Sequence, residues 1–320
     1  MTGGNLKGAA LGLLAFALFS SQDVLVKLLG ASYSPVQILF FAGLLGFPLT
    51  TLILLRDASG GTLIPRHPWW MALRTAAVMV TGLSAFYAFS VLPLAQVYAI
   101  VFATPLLITV LAIPVLGERV RLRRWLAVLV GLIGVIVVVQ PGRTDLGLGH
   151  LAALMAATGG ATAAVIVRRI GAGERSIVLL LYPMMGNFVV LGLALGLVYR
   201  PMPALDFGAM AAIAVLALMA TAAIIAAYKT GEAGIVAPMQ YSQILWATLY
   251  GAVIFGERPD GATYLGATLI IASGLYILLR EGRSGVSANR PVSATRSRPE
   301  TGVSPRVSLV LRRIGKHESP

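Results

Sequence analysis

The sequence contains no cysteine and few charged residues, and both shortages exclude classes of protein. Without cysteine the chain forms no disulfide bond and supports no thiolate chemistry. Its three histidines, His67, His150 and His317, are expected in loops or in the tail, so we predict neither a metal site nor a cofactor. Charged residues make up only 12% of the 320 residues, and hydrophobic residues make up 58%. Because a soluble domain has about 25% charged residues, a water-soluble core is excluded.

Long apolar runs follow one another from Leu6 to Arg280. A helix needs about 20 mostly apolar residues to cross the hydrocarbon layer, where every backbone polar group must find a partner within the protein. The runs are too long and too evenly apolar for barrel strands, so we predict an all-α membrane protein. The ten predicted transmembrane helices cover residues 6–29, 35–55, 69–91, 94–115, 122–140, 147–169, 175–199, 205–228, 233–255 and 261–280.

Basic residues are concentrated in alternate loops between these runs. The richer loops carry Arg56, Arg66, Arg119, Arg121, Arg123, Arg124, Arg168, Arg169, Arg175, Lys229 and Arg280, whereas the opposite loops carry Arg143, Arg200 and Arg258. Because basic loops stay in the cytoplasm, we predict a multi-pass protein of the cell inner membrane with both termini cytoplasmic. The net charge of +13 therefore reflects topology, and no nucleic-acid partner is expected, because no basic helix or aromatic-studded sheet accompanies it.

Two parts of the chain share the spacing of several features. When residues 93–119 are placed over residues 232–258 without a gap, two Gly-Glu-Arg triplets coincide. Gly8 to Lys27 also matches the spacing of Gly149 to Arg168. We therefore predict two copies of one five-helix unit, residues 6–140 and 147–280. Five is an odd number, so the copies enter the membrane from opposite sides, and inverted repeats of this kind are typical of secondary transporters.

Short motifs in both copies resemble the drug/metabolite transporter superfamily, in its branch with paired EamA-type domains. They are Asp23 to Lys27 followed by Ser34-Pro35, Leu92 to Ala95, Pro105 before the first Gly-Glu-Arg triplet, and Val236 to Pro238 before the second. The resemblance covers about residues 6–280 and implies ten helices that move metabolites. Many members carry an arginine in the second helix that this chain lacks, near residues 41–43, so an anionic substrate is not expected.

Two longer segments, residues 85–96 and 236–246, are similar to bacterial riboflavin uptake transporters of the same superfamily. This narrower resemblance implies riboflavin as the substrate. The main alternative within transport is export of amino acids or other metabolites, since an inverted repeat does not fix direction. A membrane receptor or scaffold is the alternative of another class. An enzyme is not expected, because the spans contain no His-Glu-x-x-His motif, no cysteine and no pair of aspartates.

Polar and aromatic residues within the spans are the candidates for binding a solute. An amide without a partner in hydrocarbon costs several kcal/mol, so it faces a cavity or another helix. Gln240, Gln243 and Trp246 recur at a spacing of three, which places two amides and an indole on one helical face. Such groups suit a flat, neutral, hydrogen-bonding ligand, although interhelical hydrogen bonds explain the amides equally well. The predicted substrate-binding residues are Gln96, Tyr98, Phe102, Gln240, Tyr241, Gln243 and Trp246.

Asp23, Lys27 and Pro105 are candidates for coupling or gating. Asp23 and Lys27 lie one helical turn apart in the first span, so they either pair with each other or serve transport, with Asp23 as a proton carrier. Pro105 falls in the middle of the fourth span and is expected to kink it. Its counterpart in the ninth span is Ile244, so we expect the two copies to differ at this point.

The last part of the chain differs in composition from the spans. Residues 281–320 are rich in Ser, Arg, Pro and Gly, so we predict a disordered cytoplasmic tail. Its arginines are expected to lie near anionic membrane lipid. The expected partners are therefore a small-molecule substrate and lipid, and a homodimer is left open.

Overall fold

The computed structural model describes residues 3–55, 63–117, 122–141, 146–171, 173–231 and 233–281. Within these ranges the regular elements are helical, so the predicted all-α class is confirmed. The expectation of disorder beyond Glu281, where the last helix ends, concerns residues outside the described ranges. The helices are α1 (Gly3–Gly30), α2 (Pro35–Leu55), α3 (Pro68–Val91), α4 (Leu94–Val101), α5 (Thr104–Leu116), α6 (Leu122–Val139), α7 (Leu148–Ile170), α8 (Ser176–Val198), α9 (Ala204–Thr230), α10 (Ala233–Val236), a 3₁₀ segment (Ala237–Ser242), α11 (Gln243–Phe255) and α12 (Gly261–Glu281).

The apolar faces of these helices are turned outward as well as inward. Among the described residues, 6 helical stretches are long and apolar enough to cross a membrane, namely Gly4–Gly30, Pro68–Val91, Leu94–Leu116, Leu148–Ile170, Val178–Val198 and Ala204–Thr230. Shorter apolar stretches lie in α2, α6 and α12. Large side chains such as Leu193, Leu197 and Leu205 are almost fully exposed, as expected for residues that face lipid rather than water. The chain is therefore a multi-pass membrane protein.

Helices from the two halves of the sequence pack against each other. α1 lies along α9, α3 along α7, and α6 along α12. At the first of these contacts the helices approach so closely that a Cβ on Gly8 would lie 2.6 Å from Cα of Gly231. α4 occupies the centre, because all of its residues except Gln96 are buried. The core is therefore shared between the halves and contains the first part of the predicted fourth span.

Two residues of α1, Gly8 and Lys27, mark the two ends of the bundle. The Gly8 end is where α1 begins and α9 finishes, as the contact between Gly8 and Gly231 shows. The Lys27 end is where α1 finishes and α4 begins, since Nζ of Lys27 donates a hydrogen bond to the carbonyl of Leu92.

The predicted fourth span is interrupted just before Pro105, so the expected kink is present, although it lies ahead of the proline and not at it. The break falls at Phe102 and Ala103, between α4 and α5, and Pro105 lies in the first turn of α5. Proline is tolerated there, because first-turn N–H groups have no partner inside the helix. Pro105 cannot donate to the carbonyl of Val101, which instead accepts a hydrogen bond of 2.6 Å from Oγ1 of Thr104.

The predicted ninth span is also broken, although Ile244 stands where Pro105 does in the first copy, and the breaks differ in form: a six-residue 3₁₀ segment here and two residues in the fourth span. α10 passes into the 3₁₀ segment, and a new helix, α11, begins at Gln243. α5 and α11 each have 13 residues, and each ends at a glycine with positive φ, 69° at Gly117 and 66° at Gly256. The left-handed conformation explains why glycine begins both Gly-Glu-Arg triplets.

Candidate functional site

Four polar side chains meet in the middle of the bundle. The hydroxyl of Tyr98 donates a hydrogen bond to Oδ2 of Asp23. Oγ of Ser20 lies 3.3 Å from the same hydroxyl, and Nε2 of Gln243 donates to it at 3.3 Å. All four side chains are at most 3% exposed. Because α1 and α4 precede residue 140 and α11 follows residue 147, this network joins the two halves of the chain.

The helix breaks bring these residues together. Tyr98 lies one turn after the start of α4, in the short helix at the centre of the bundle. Gln243 is the first residue of α11, and its backbone N–H bonds back to the carbonyls of Gln240 and Tyr241 in the 3₁₀ segment. The side chain of Gln243 therefore leaves the chain at a turn, where the backbone changes from one helical form to another, and reaches Tyr98.

Aromatic rings continue from this network. The ring of Tyr98 lies 5.3 Å from that of Phe89 and 5.9 Å from that of Phe102, measured between centroids. Phe102 meets Tyr241 edge to face at 5.2 Å. Phe102 and Tyr241 occupy equivalent positions in the two copies, since both precede the second helix of a broken span by two residues. The breaks thus pack against each other through aromatic side chains at the distances that favour such pairs.

A second aromatic pair contacts α1 through Ser21. Trp246 stacks on Tyr250 in α11 at 6.3 Å, and the hydroxyl of Tyr250 lies 3.0 Å from Oγ of Ser21. Nε1 of Trp246 is buried and has no hydrogen-bond partner among the described residues. The same holds for both amide atoms of Gln22, which is fully buried. Leaving such groups unpaired costs about 1–3 kcal/mol each, so they are candidates for hydrogen bonds to a bound solute.

Two of the predicted substrate-binding residues lie apart from the network. The amide of Gln96 lies 3.1 Å from Nε2 of His150, an interhelical contact at the Lys27 end. His150 is in the first turn of α7, so its expected place in a loop is wrong. Gln240 is half-buried in the 3₁₀ segment, and within the described ranges no hydrogen bond joins its side chain to the network. The predicted shared helical face of Gln240, Gln243 and Trp246 is therefore interrupted before Gln243.

Lys27 pairs with Glu257, so pairing between Lys27 and Asp23 is wrong. Nζ of Lys27 lies 2.7 Å from Oε1 of Glu257 and 5.3 Å from the ring centre of Phe255. Oε2 of Glu257 accepts a hydrogen bond of 3.0 Å from the backbone N–H of Leu94. Asp23 instead belongs to the Tyr98 network, one turn deeper along α1.

Sequence reasoning missed a buried arginine. Arg74 lies in the second turn of α3 and is only 1% exposed, and its Nη1 donates a hydrogen bond to the carbonyl of Leu179 in α8. In a regular helix that carbonyl accepts the N–H of the residue four positions on, which here is Pro183. Arg74 therefore supplies the donor that proline lacks. An arginine inside an apolar run was the available signal.

Tyr33 links the halves at the Lys27 end. Its hydroxyl donates a hydrogen bond of 2.5 Å to Oδ2 of Asp206, in the first turn of α9. This bond is the main reason that the pKa of Tyr33 is raised above its usual value. Nearby, the side chain of Gln37 bonds to both backbone groups of Arg200, at 2.7 and 2.9 Å. In the described part of the chain no three His, Asp or Glu side chains group as a metal site would require.

Comparison with known proteins identifies the family. The model of the EamA-like transporter family matches residues 6–140 and 147–279. An S-adenosylmethionine uptake transporter of Rickettsia prowazekii is 25% identical over 288 residues, 87% of this chain and 95% of that protein. A riboflavin transporter of Rhizobium johnstonii is 29% identical over 228 residues, 68% of this chain and 72% of that protein.

Two further comparisons cover most of the chain. The pseudopaline exporter CntI of Pseudomonas aeruginosa is 26% identical over 269 residues, 83% of this chain and 94% of that protein. A solved crystal structure superposes with a TM-score of 0.55 at 21% identity and covers 88% of this chain and 100% of that one, which shows a shared fold. The family match extends over both halves of the sequence, and the chain is a member of the EamA-like transporter family.

Proposed function

We propose that this protein is a secondary transporter with ten transmembrane spans, in which residues 6–140 and 147–280 form an inverted repeat. α1 starts at the Gly8 end, whereas α7, its counterpart, starts at the Lys27 end, where a Cβ on Gly149 would lie 2.9 Å from Leu92. In the proposed repeat α7 is the counterpart of α1, and α9 is the counterpart of α3. The contact of α1 with α9 therefore has its equivalent in the contact of α7 with α3, which supports the same relation. Rocking of such halves about a central site gives alternating access. The basic loops assign the Gly8 end to the cytoplasm.

The observation that carries this proposal is the buried network of Asp23, Tyr98 and Gln243. It joins three helices from both halves of the sequence, as a site between two moving units requires. A carboxylate, a phenol and an amide in the middle of a lipid-embedded bundle are costly to bury and mark a functional position. Asp23 carries the carboxyl group of this network, so it is the proposed coupling residue.

Riboflavin is the preferred substrate. The site offers aromatic rings for stacking, at Phe102, Tyr241 and Trp246, next to amide and indole groups for hydrogen bonds. A planar, uncharged heterocycle with several hydrogen-bonding edges uses both kinds of group. The similarity to a riboflavin transporter of Rhizobium johnstonii supports this choice.

S-adenosylmethionine is the second candidate, and Asp23 is the observation that favours it. A sulfonium cation that carries a purine ring is matched by a carboxylate next to aromatic rings, here Tyr98 and Phe89. The Rickettsia prowazekii relative is named as an uptake transporter for this solute. Export of another metabolite is the third candidate, because the Pseudomonas aeruginosa relative is named as an exporter.

Uptake by cells distinguishes these candidates. Labelled riboflavin and labelled S-adenosylmethionine are offered separately to bacteria that lack their own transporter for each, and initial rates are compared at matched membrane expression. We expect saturable uptake of riboflavin and no competition by S-adenosylmethionine. Uptake of S-adenosylmethionine alone selects the second candidate. Absence of uptake of both solutes at matched expression leaves export of another metabolite as the remaining candidate.

Substitutions in α11 are expected to act on the site. Gln243→Ala and Trp246→Ala should each lower uptake at limiting substrate about 5- to 30-fold, since a lost hydrogen bond or ring contact costs about 1–2 kcal/mol. Leu245→Ala is the matched control, because Leu245 lies between them in the same helix and is 69% exposed on the lipid side. Equal rates for all three variants would contradict the placement of the site beside α11.

A further inference from the structure

The ion pair of Lys27 and Glu257 joins three elements at one end of the bundle. Lys27 is in the last turn of α1, and Glu257 follows α11. Between them lies the connection from α3 to α4, whose carbonyl at Leu92 and N–H at Leu94 bond to the lysine and the glutamate respectively. α1, α3 and α4 belong to the first half and α11 to the second, so the pair ties the halves together.

The break at Pro93 creates the backbone groups that the ion pair satisfies. The N–H groups of Gln96 and Val97 both bond to the carbonyl of Pro93, so the hydrogen-bond ladder of α4 starts there. The Leu92 carbonyl and the Leu94 N–H therefore have no partner within a helix. A carboxylate at the first turn of α4 also interacts favourably with the helix dipole. Lys27 thus supplies a donor for the free carbonyl at the break, and Glu257 supplies an acceptor for the free N–H.

A charged contact at the end of a bundle is suited to repeated opening. The side chains of Lys27 and Glu257 are 13% and 14% exposed, so each is shielded while the pair is formed. Separation near the aqueous surface lets water hydrate both charges, which offsets the lost attraction. The closed and open arrangements then differ little in free energy, as a reversible transition needs.

The backbone around Glu257 holds the carboxylate in place. Gly256 has φ of 66°, and the N–H of Glu257 bonds to the carbonyl of Gly251 at 2.8 Å, so the chain turns back over the end of α11. A Cβ on Gly251 would lie 2.7 Å from Oε2 of Glu257. Gly251 therefore leaves space for the carboxylate, and the left-handed turn at Gly256 directs Glu257 towards α4.

We infer that Lys27 and Glu257 are the gate that closes the solute pathway at the Lys27 end and opens when the halves move apart. The inference rests on the proposed transport function and names the pair that seals its site on one side. Asp23 lies one turn below Lys27 on α1, and Tyr98 lies one turn below Leu94 on α4. Gln243 at the start of α11 bonds to Tyr98, so a solute that separates these two residues moves α11, and with it Glu257, away from the helices of the first half.

Labelling of a single thiol tests the gate without any substrate. Because the chain has no cysteine, Ser20→Cys places the sole thiol of the protein in the Tyr98 network, where Ser20 is 1% exposed. A membrane-impermeant maleimide is added to right-side-out and to inverted vesicles. Adding Lys27→Gln or Glu257→Gln to this variant should speed labelling roughly 10-fold from one face only, which corresponds to about 1.4 kcal/mol in the opening equilibrium.

Two comparisons sharpen this test. Arg258→Gln removes a positive charge at the same end, where Arg258 is exposed beside Glu257, and should leave the labelling rate unchanged. The double variant Lys27→Gln with Glu257→Gln should label no faster than either single variant, because the pair acts as a unit. Equal labelling rates with and without the ion pair, from both faces, would overturn the gate. The readout needs no substrate, so failure of riboflavin uptake leaves it interpretable.

Discussion

Replacement of Asp23 by asparagine is expected to reduce transport more than any other single substitution in the site. Asparagine keeps the size of the side chain but removes the ionisable group and turns one acceptor oxygen into a donor, which faces the hydroxyl of Tyr98. A lost hydrogen bond to a charged group costs about 1.5–3 kcal/mol, or roughly 10- to 150-fold in rate. The initial uptake rate of the labelled substrate, at matched membrane expression, measures this effect.

Two variants serve as references for Asp23→Asn. Asp206→Asn makes the same chemical change at the Lys27 end, where the carboxylate accepts the bond from Tyr33 outside the Tyr98 network, so uptake should remain near that of the parent. Tyr98→Phe removes the donor but leaves the carboxyl, so its effect should be smaller than that of Asp23→Asn. Similar losses in Asp206→Asn and Asp23→Asn would show that the effect is a general one of removing acids from this bundle.

Arg74→Leu is expected to be strongly destabilising, because the carbonyl of Leu179 then has no donor in a buried position. An unsatisfied buried polar group costs about 1–3 kcal/mol. Pro183→Ala restores a backbone N–H that can donate to the carbonyl of Leu179, as in a regular helix. In the Pro183→Ala background the loss from Arg74→Leu should therefore shrink by more than half.

Thermal unfolding in detergent measures this double-mutant cycle. The four proteins are the parent, the two single variants and the double variant. Pro48→Ala is the control background, because Pro48 lies in α2 and the bond from Arg74 goes to α8. If Arg74→Leu costs the same free energy with proline or alanine at position 183, the guanidinium does not replace the missing N–H.

The positions of the helices could be read from the sequence, because apolar runs bounded by charged or Gly/Pro segments determine them. Most described helices begin or end within a few residues of a predicted run. The breaks at Phe102 and in the 3₁₀ segment could not be placed in this way, since no charged residue bounds them, and Pro105 and Pro238 indicate only their neighbourhood. They arise where the two broken spans cross, with Phe102 against Tyr241.

The candidate site was predicted in part. Asp23, Tyr98 and Gln243 were each chosen as polar or aromatic groups in an apolar environment, and they meet. Their convergence depends on contacts between distant parts of the chain, which one sequence does not reveal. For the same reason Lys27 was considered with Asp23, its neighbour one turn away, whereas its partner is Glu257.

Solute counterflow in proteoliposomes is the measurement that tests the central claim most directly. The purified protein is reconstituted without nucleotide, the vesicles are loaded with unlabelled riboflavin, and entry of labelled riboflavin is followed over time. A carrier with one alternating site predicts transient accumulation of label above equilibrium, and Gln243→Ala should diminish it. Binding of riboflavin without any accumulation of label would contradict the account and indicate a receptor instead.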